Sequence, residues 1–138
     1  MSALVRFPAV FLAAFVACAF AQSEGKPGSV DRGKYIVEVL ARCHFCHTPR
    51  DESGNPDRGR WLMGGPLQLR AAYPTHWATV APRIAGQPPG TDAEVIRLLT
   101  TGLWKTGSPP TPPMPPFQMT REDAESVLAY LKSLPARE

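Results

Sequence analysis

Proline is the residue that most limits what this chain can fold into. The 138 residues include 16 prolines, six of them between Trp104 and Phe117. Because proline fixes φ and has no N–H donor, we expect this segment to be an extended, polyproline-like strap. Residues 48–87, where Gly, Pro, Asp and Asn recur, are predicted to be irregular loop. A single small domain with so much loop can bury only a thin core, so some other group must supply apolar contact area.

Three segments carry helix signals. The pattern predicts helices at residues 29–42, 91–102 and 120–135, each with apolar residues at helical spacing. The first has Ser at its N-cap and the third has Thr there. Thr91 and Glu94 form a capping box at the start of the second helix. The sequence therefore predicts an all-α domain of three to four helices with long loops.

Residues 1–21 have the pattern of a secretory signal peptide. Arg6 precedes an apolar run over residues 9–20, and small residues complete an A-x-A cleavage site. A membrane anchor is disfavoured, since the run is shorter than the 18 residues that a spanning helix needs. Lipid attachment at Cys18 is a further possibility, although Phe15 replaces the Leu that lipoprotein signals usually carry. We expect an exported, periplasmic protein.

The rest of the chain divides into a flexible lead-in at residues 22–29 and a folded domain at residues 30–138. Removing residues 1–21 deletes one of 15 basic residues and none of 12 acidic ones, which leaves a formal charge of +2. No block of like charges or basic stripe is present. This pattern argues against nucleic-acid binding and against a strong membrane patch.

The chemistry is indicated by Cys43-His44-Phe45-Cys46-His47, which has the C-x-x-C-H form of a haem attachment site. Two thiols three residues apart at the end of a helix can reach both vinyl groups on one haem edge, and His47 can then turn its imidazole onto the iron. His44, between the cysteines, is expected to point away from the haem. The apolar face of haem would supply the core area that the chain lacks.

Three other interpretations of the two cysteines explain less of the motif. A zinc site needs four ligands, and the mature chain has two Cys and three His, two of the His inside the motif. A thioredoxin-like dithiol requires a strand-helix setting, whereas Cys43 and Cys46 end a helix. A structural disulfide is possible in an exported protein but leaves His47 unexplained. Haem attachment is the interpretation that accounts for all three residues.

An electron-carrying haem iron needs a second axial ligand, and a Met thioether favours the reduced iron. The candidates are Met63, Met114 and Met119. Met114 is predicted because Pro113 and Pro115 flank it and can hold its side chain stiffly against iron. Met119 is the next candidate, although it can instead staple the start of the last helix. Met63 could be simple packing.

Other loop residues offer weaker possibilities. His76 could make a bis-His iron, although a lone loop His is more often a surface group. The side chains of Trp61, Trp77, Trp104 and Arg83 could contact the haem propionates or the haem edge, or could be packing.

These motifs together resemble the class I, or monohaem, cytochromes c over residues 31–134. The resemblance is carried by Gly33-Lys34-Tyr35, by the segment from Cys43 to Arg50, by Met114-Pro115-Pro116-Phe117, and by the ending from Ala129 to Pro135. The pattern is most similar to cytochrome subunits of exported bacterial alcohol and sugar dehydrogenases and to related small carriers.

The resemblance implies roles for particular residues. Gly33 would let the first helix cross closely over the last near Tyr130 and Leu131, and Met114 would be the sixth iron ligand. A proline carbonyl would accept a hydrogen bond from the Nδ1–H of His47. Both Gly65-Pro66-Leu67 and Ala81-Pro82-Arg83-Ile84 could supply that carbonyl.

We therefore expect a non-enzymatic carrier with one covalently bound haem c, its iron ligated by His47 and Met114. It would take single electrons from a dehydrogenase or other donor and pass them to an oxidase or another cytochrome through transient contacts. His44 and Phe45 are expected to rim the haem edge, although Phe45 could equally pack inward. The alternative is a haem enzyme or gas sensor with an open iron position.

Overall fold

The computed structural model describes residues 28–73 and 76–136 of the chain. The predicted signal peptide at residues 1–21 lies outside this part, as does most of the predicted lead-in. The elements, in chain order, are α1 (Val30–Tyr35), a π-helical turn (Ile36–Leu40), α2 (His44–His47), a 3-10 turn (Arg58–Arg60), β1 (Gly65–Pro66), β2 (Val80–Ala81), α3 (Asp92–Thr101) and α4 (Arg121–Ser133).

The three predicted helices are present, and their ends follow the predicted caps. The side chains of Ser29 and Thr120 accept backbone hydrogen bonds at the starts of α1 and α4. The capping box of Thr91 and Glu94 begins α3, which ends where Gly102 takes a left-handed φ of 71°. These helix ends satisfy backbone groups that have no partner within the helix.

Two features correct the all-α prediction. β1 and β2 form a two-stranded antiparallel sheet in which Gly65 lies opposite Ala81 and Pro66 opposite Val80. Strands of two residues are too short to show an alternating pattern, so the sequence carries no signal for them. The first helix also changes to a π-helical turn at Ile36 and ends at Leu40 rather than Arg42.

The crossing of α1 over α4 depends on Gly33. A Cβ built at Gly33 would lie 2.8 Å from the Cβ of Tyr130 and closer still to the carbonyl oxygen of Ser126. The close crossing beside Tyr130 that the resemblance implied is confirmed. Leu131, also expected there, is buried in the core but is not among the nearest contacts.

Polar contacts tie the same two helices together. The Arg32 guanidinium donates two hydrogen bonds to the Asp123 carboxylate, at 2.9 and 3.2 Å. The Tyr130 hydroxyl donates to Glu38 Oε1 at 2.5 Å, and its burial together with this carboxylate raises the pKa of Tyr130 to about 12. These contacts fix α1, and therefore the start of the C-x-x-C-H segment, relative to α4.

The core lies between α1, α3 and α4 and continues under the loop that follows α2. Within the described part of the chain, no helix is both long and apolar enough to cross a bilayer. The buried core residues are Ile36, Val37, Leu62, Ala85, Val95, Leu99, Ala124, Val127, Leu128, Tyr130 and Leu131.

Candidate haem site

One cavity brings together the four residues predicted to bind the cofactor. Cys43, Cys46, His47 and Met114 all line a space of about 340 Å³. This volume falls within the range of about 300–1,000 Å³ that is typical of ligand sites. Most other lining side chains are apolar and come from the β2 region, α3, α4 and the strap, among them Val80, Ile84, Val95, Leu98, Leu99, Pro110, Pro113, Phe117, Val127 and Leu131.

The His47 ring is held by a backbone carbonyl. Its Nδ1 lies 2.8 Å from the oxygen of Pro82. Because a carbonyl oxygen can only accept, Nδ1 carries the proton and Nε2 keeps its lone pair. Burial lowers the pKa of His47, and the hydrogen bond to Pro82 offsets part of that shift. The result is a neutral imidazole with Nε2 available to a metal, as metal-binding histidines require.

This contact decides between the two proline segments that the sequence left open. The carbonyl that orients His47 is that of Pro82, directly after β2. Pro66 lies in β1, the strand that pairs with β2. The sequence could not distinguish them because both prolines are followed by an apolar residue within two positions and both lie in the same irregular stretch.

The two cysteines lie at the ends of α2. Cys43 is its N-cap residue and Cys46 is in its single turn, and both are free thiols. Burial raises the pKa of Cys43 to about 11 and also raises the pKa of Cys46. Redox-active dithiols have lowered pKa values because positive charge or a helix N-terminus favours their thiolate. The surroundings of this pair therefore differ from those of a thioredoxin-like site.

The strap brings Met114 to the cavity without regular secondary structure. The carbonyl of Pro112 accepts a hydrogen bond from the Ala78 amide at 2.7 Å, which ties the strap to the residues before β2. The Met114 amide donates to the Thr111 carbonyl at 3.3 Å in a local turn. Met63 and Met119 instead pack against the core cluster. Of the three candidate ligands, Met114 is therefore the one at the cavity.

The remaining predicted residues divide between the cavity and the surface. Trp104 lines the cavity. His44 points elsewhere, as predicted, because its ring stacks on Trp61 with centroids 4.9 Å apart. The Trp77 Nε1–H donates to the Leu69 carbonyl at 3.2 Å.

Two further candidates have less contact with the cavity. His76 is exposed, and neither it nor Arg83 is among the described residues that line the cavity. Arg83 nevertheless belongs to the segment that orients His47, because its amide nitrogen follows the Pro82 carbonyl in the chain.

Sequence reasoning missed Arg42, which lines the cavity directly before Cys43. Its φ of 51° is unusual for a residue with a side chain, and its side chain is exposed. A cation at this position could pair with a carboxylate of a bound group or of a partner. Its place immediately before the C-x-x-C-H motif was the signal available in the sequence.

The donor set and the lining fit a haem c. Cys43 and Cys46 offer two thiols for covalent attachment, His47 offers a neutral imidazole nitrogen, and Met114 offers a thioether from a separate segment. Apolar walls suit the faces of a porphyrin.

Comparison with known proteins agrees with this arrangement. The cytochrome c family matches residues 30–135, and the chain belongs to that family. Membership implies a covalently attached haem c with its iron and a role in electron transfer.

Individual relatives are longer than this chain. A "Diheme cytochrome c-type" protein of Cereibacter sphaeroides is 34% identical over 111 residues, which cover 78% of this chain and 36% of the relative. The "Fructose dehydrogenase cytochrome subunit" of Gluconobacter japonicus is 28% identical over 130 residues, covering 85% and 26%. A nicotinate dehydrogenase subunit of Pseudomonas putida is 27% identical over 111 residues, covering 75% and 9%. The chain thus spans about a third or less of each of these relatives.

Proposed function

We propose that this chain is a periplasmic electron-transfer protein that carries one haem c attached at Cys43 and Cys46. His47 and Met114 would be the two axial ligands of its iron. The observation that carries this proposal is that these four side chains line one apolar cavity, with His47 already held by Pro82 in the tautomer that leaves Nε2 free. The sequence contains one C-x-x-C-H motif, which supports one haem per chain.

Each residue has a distinct task in this proposal. Bound haem c supplies a one-electron iron couple, and the protein supplies attachment, orientation and an apolar environment. The thiols of Cys43 and Cys46 each form a thioether bond to a vinyl carbon, with the thiol hydrogen passing to the other vinyl carbon. Met114 contributes a soft thioether, which favours the reduced iron and raises the potential.

The partners are proposed to be redox proteins that bind transiently. Two of the relatives carry the names of dehydrogenase components, which supports a dehydrogenase as the electron donor. An oxidase or another cytochrome would accept the electron. The signal-like residues 1–21 support export, so that both partners would be met in the periplasm.

The docking face is proposed to lie where apolar side chains meet the cavity mouth. Val80 lines the cavity and is 59% exposed, and Phe45, inside the C-x-x-C-H motif, is 46% exposed. The Arg50 guanidinium lies over the Phe45 ring, 4.9 Å from its centre. Phe45 therefore faces outward, in accord with the surface alternative. A small apolar patch with little net charge would give a short-lived contact.

Spectroscopy and ligand binding test this function. The oxidised, haem-loaded protein should show a sulfur-to-iron charge-transfer band, bind added cyanide or imidazole only slowly, and be reduced and reoxidised reversibly by one electron. A high-spin spectrum with rapid ligand binding would instead identify an open iron position, as in a haem enzyme or gas sensor.

A further inference from the structure

Gly64 makes an unusual pair of approaches to the His47 ligand. Its amide donates a hydrogen bond to the His47 carbonyl at 2.7 Å. On its other side, a Cβ at this position would lie 2.6 Å from the carbonyl carbon of Pro82, and equally close to Ala81 O and Arg83 N. That carbonyl carbon belongs to the group whose oxygen accepts from His47 Nδ1. Gly64 is therefore in contact with both the backbone of His47 and the acceptor of its ring.

The Pro82 peptide has little freedom to move away from Gly64. On one side, Ala81 is paired with Gly65 in the two-stranded sheet. On the other side, the Ile84 amide donates to the Leu62 carbonyl at 2.9 Å. Anchors on both sides mean that a larger residue at position 64 displaces the Pro82 carbonyl locally rather than shifting a free loop.

Gly64 is suited to this position for two separate reasons. Its φ of 76° is a conformation that glycine adopts without the cost that a Cβ incurs. It is also buried, and all three atoms that a Cβ would meet are backbone atoms, which cannot rotate aside. The second reason does not apply to Gly107, which has a φ of 81° and open space where its Cβ would be.

We infer that Gly64 is a positioning residue that sets the strength of the His47 Nδ1–H···O=C Pro82 hydrogen bond and, through it, the reduction potential of the bound iron. The inference rests on the proposed function, because it takes His47 as an axial ligand. A hydrogen bond from Nδ1–H to a carbonyl raises the basicity of the imidazole. A more basic ligand stabilises the oxidised iron, which carries the higher charge. Weakening the bond therefore raises the potential.

The test compares Gly64→Ala with Gly107→Ala in the haem-loaded protein. Both variants carry the positive-φ penalty, but only Gly64→Ala pushes on the Pro82 carbonyl. The Gly64→Ala protein should keep its sulfur-to-iron band, show a higher potential by spectroelectrochemistry, and exchange the His47 Nδ1 proton about tenfold faster in NMR of the reduced state, as expected for the loss of about one hydrogen bond. Gly107→Ala should match the wild type in all three.

A potential and an exchange rate in Gly64→Ala equal to those of Gly107→Ala would overturn the inference. If Gly64→Ala yields no loaded protein, exchange in the wild type decides. Strong protection of both the Gly64 amide and the His47 Nδ1 proton supports the inference, and exchange of either at the rate of an exposed group overturns it. Failure of the proposed function would show separately, as a wild-type protein without covalent haem or without a low-spin spectrum.

Discussion

At the scale of single residues, the site depends on how each ligand is supported. His47 is buried and hydrogen-bonded to Pro82, so its ring orientation is set before any group binds. Met114 is held differently, by a proline-rich strap with few backbone hydrogen bonds. The two proposed ligands should therefore respond differently to mutation, the first through its hydrogen bond and the second through loss of the side chain itself.

Replacing Met114 with Ala should abolish the sulfur-to-iron band, lower the reduction potential and admit added ligands such as cyanide. The reason is that a thioether ligand favours the reduced iron, and its loss leaves an open position. The matched controls are Met63→Ala and Met119→Ala, which remove thioethers that pack against the core and should retain the band. Loss of the band in Met119→Ala alone would contradict the assignment of Met114.

Phe45→Glu should leave the visible spectrum and the potential nearly unchanged but slow electron exchange with the native partner, because it puts a charge into an apolar docking contact. The exchange rate can be measured by stopped-flow mixing. Val30→Glu is a suitable control, because Val30 has a similar exposure of 43% at the start of α1 and does not line the cavity. Equal exchange rates for the two variants would show that electrons leave by another edge, and an altered Phe45→Glu spectrum would make Phe45 structural.

At the scale of elements, the crossing of α1 and α4 supports the position of the C-x-x-C-H segment. Gly33→Ala should lower the free energy of unfolding by about 2 kcal/mol, because overpacking against a backbone carbonyl costs about 1–3 kcal/mol or more and exceeds the gain of about 1 kcal/mol in helix propensity. Denaturant unfolding of the loaded protein measures this change.

Lys34→Ala is the control for Gly33→Ala, since Lys34 is the next residue in α1 and is exposed. Its effect should stay within about 0.5 kcal/mol, as for most surface substitutions. A Gly33→Ala protein as stable as Lys34→Ala would mean that the helices can separate at little cost.

The elements also show what a sequence can and cannot predict. Caps are local signals, so the bounds of α3 and α4 could be predicted from Thr91, Glu94, Gly102 and Thr120. The sheet could not, because β1 and β2 are two residues each and pair across a long loop. The motif predicts Cys43, Cys46 and His47 as candidates, but the choice of Pro82 over Pro66 depends on how that loop folds, which has no local signal.

At the scale of the whole molecule, the cavity occupies the place where a larger core would lie. Residues from α3, α4 and the strap all face it. Without a bound group these apolar walls would be left without contact partners, and cavities of this kind are costly. Bound haem would therefore act as part of the core as well as the electron carrier.

Production of the chain without export and haem-attachment machinery should accordingly give mostly unfolded apoprotein. Circular dichroism would show low helix content and no cooperative thermal transition, whereas the loaded protein should melt cooperatively. A cooperatively folded apoprotein would contradict the view that haem completes the core.

The most direct test of the account is peptide mapping of the exported, denatured protein by mass spectrometry. Trypsin cleaves after Arg42 and Arg50, so residues 43–50 are released as one peptide that contains both cysteines and His47. This peptide is predicted to carry one haem through two thioether bonds, with no haem released into acidic organic solvent. Recovery of residues 43–50 without haem, as free thiols or as a disulfide, would contradict the central claim.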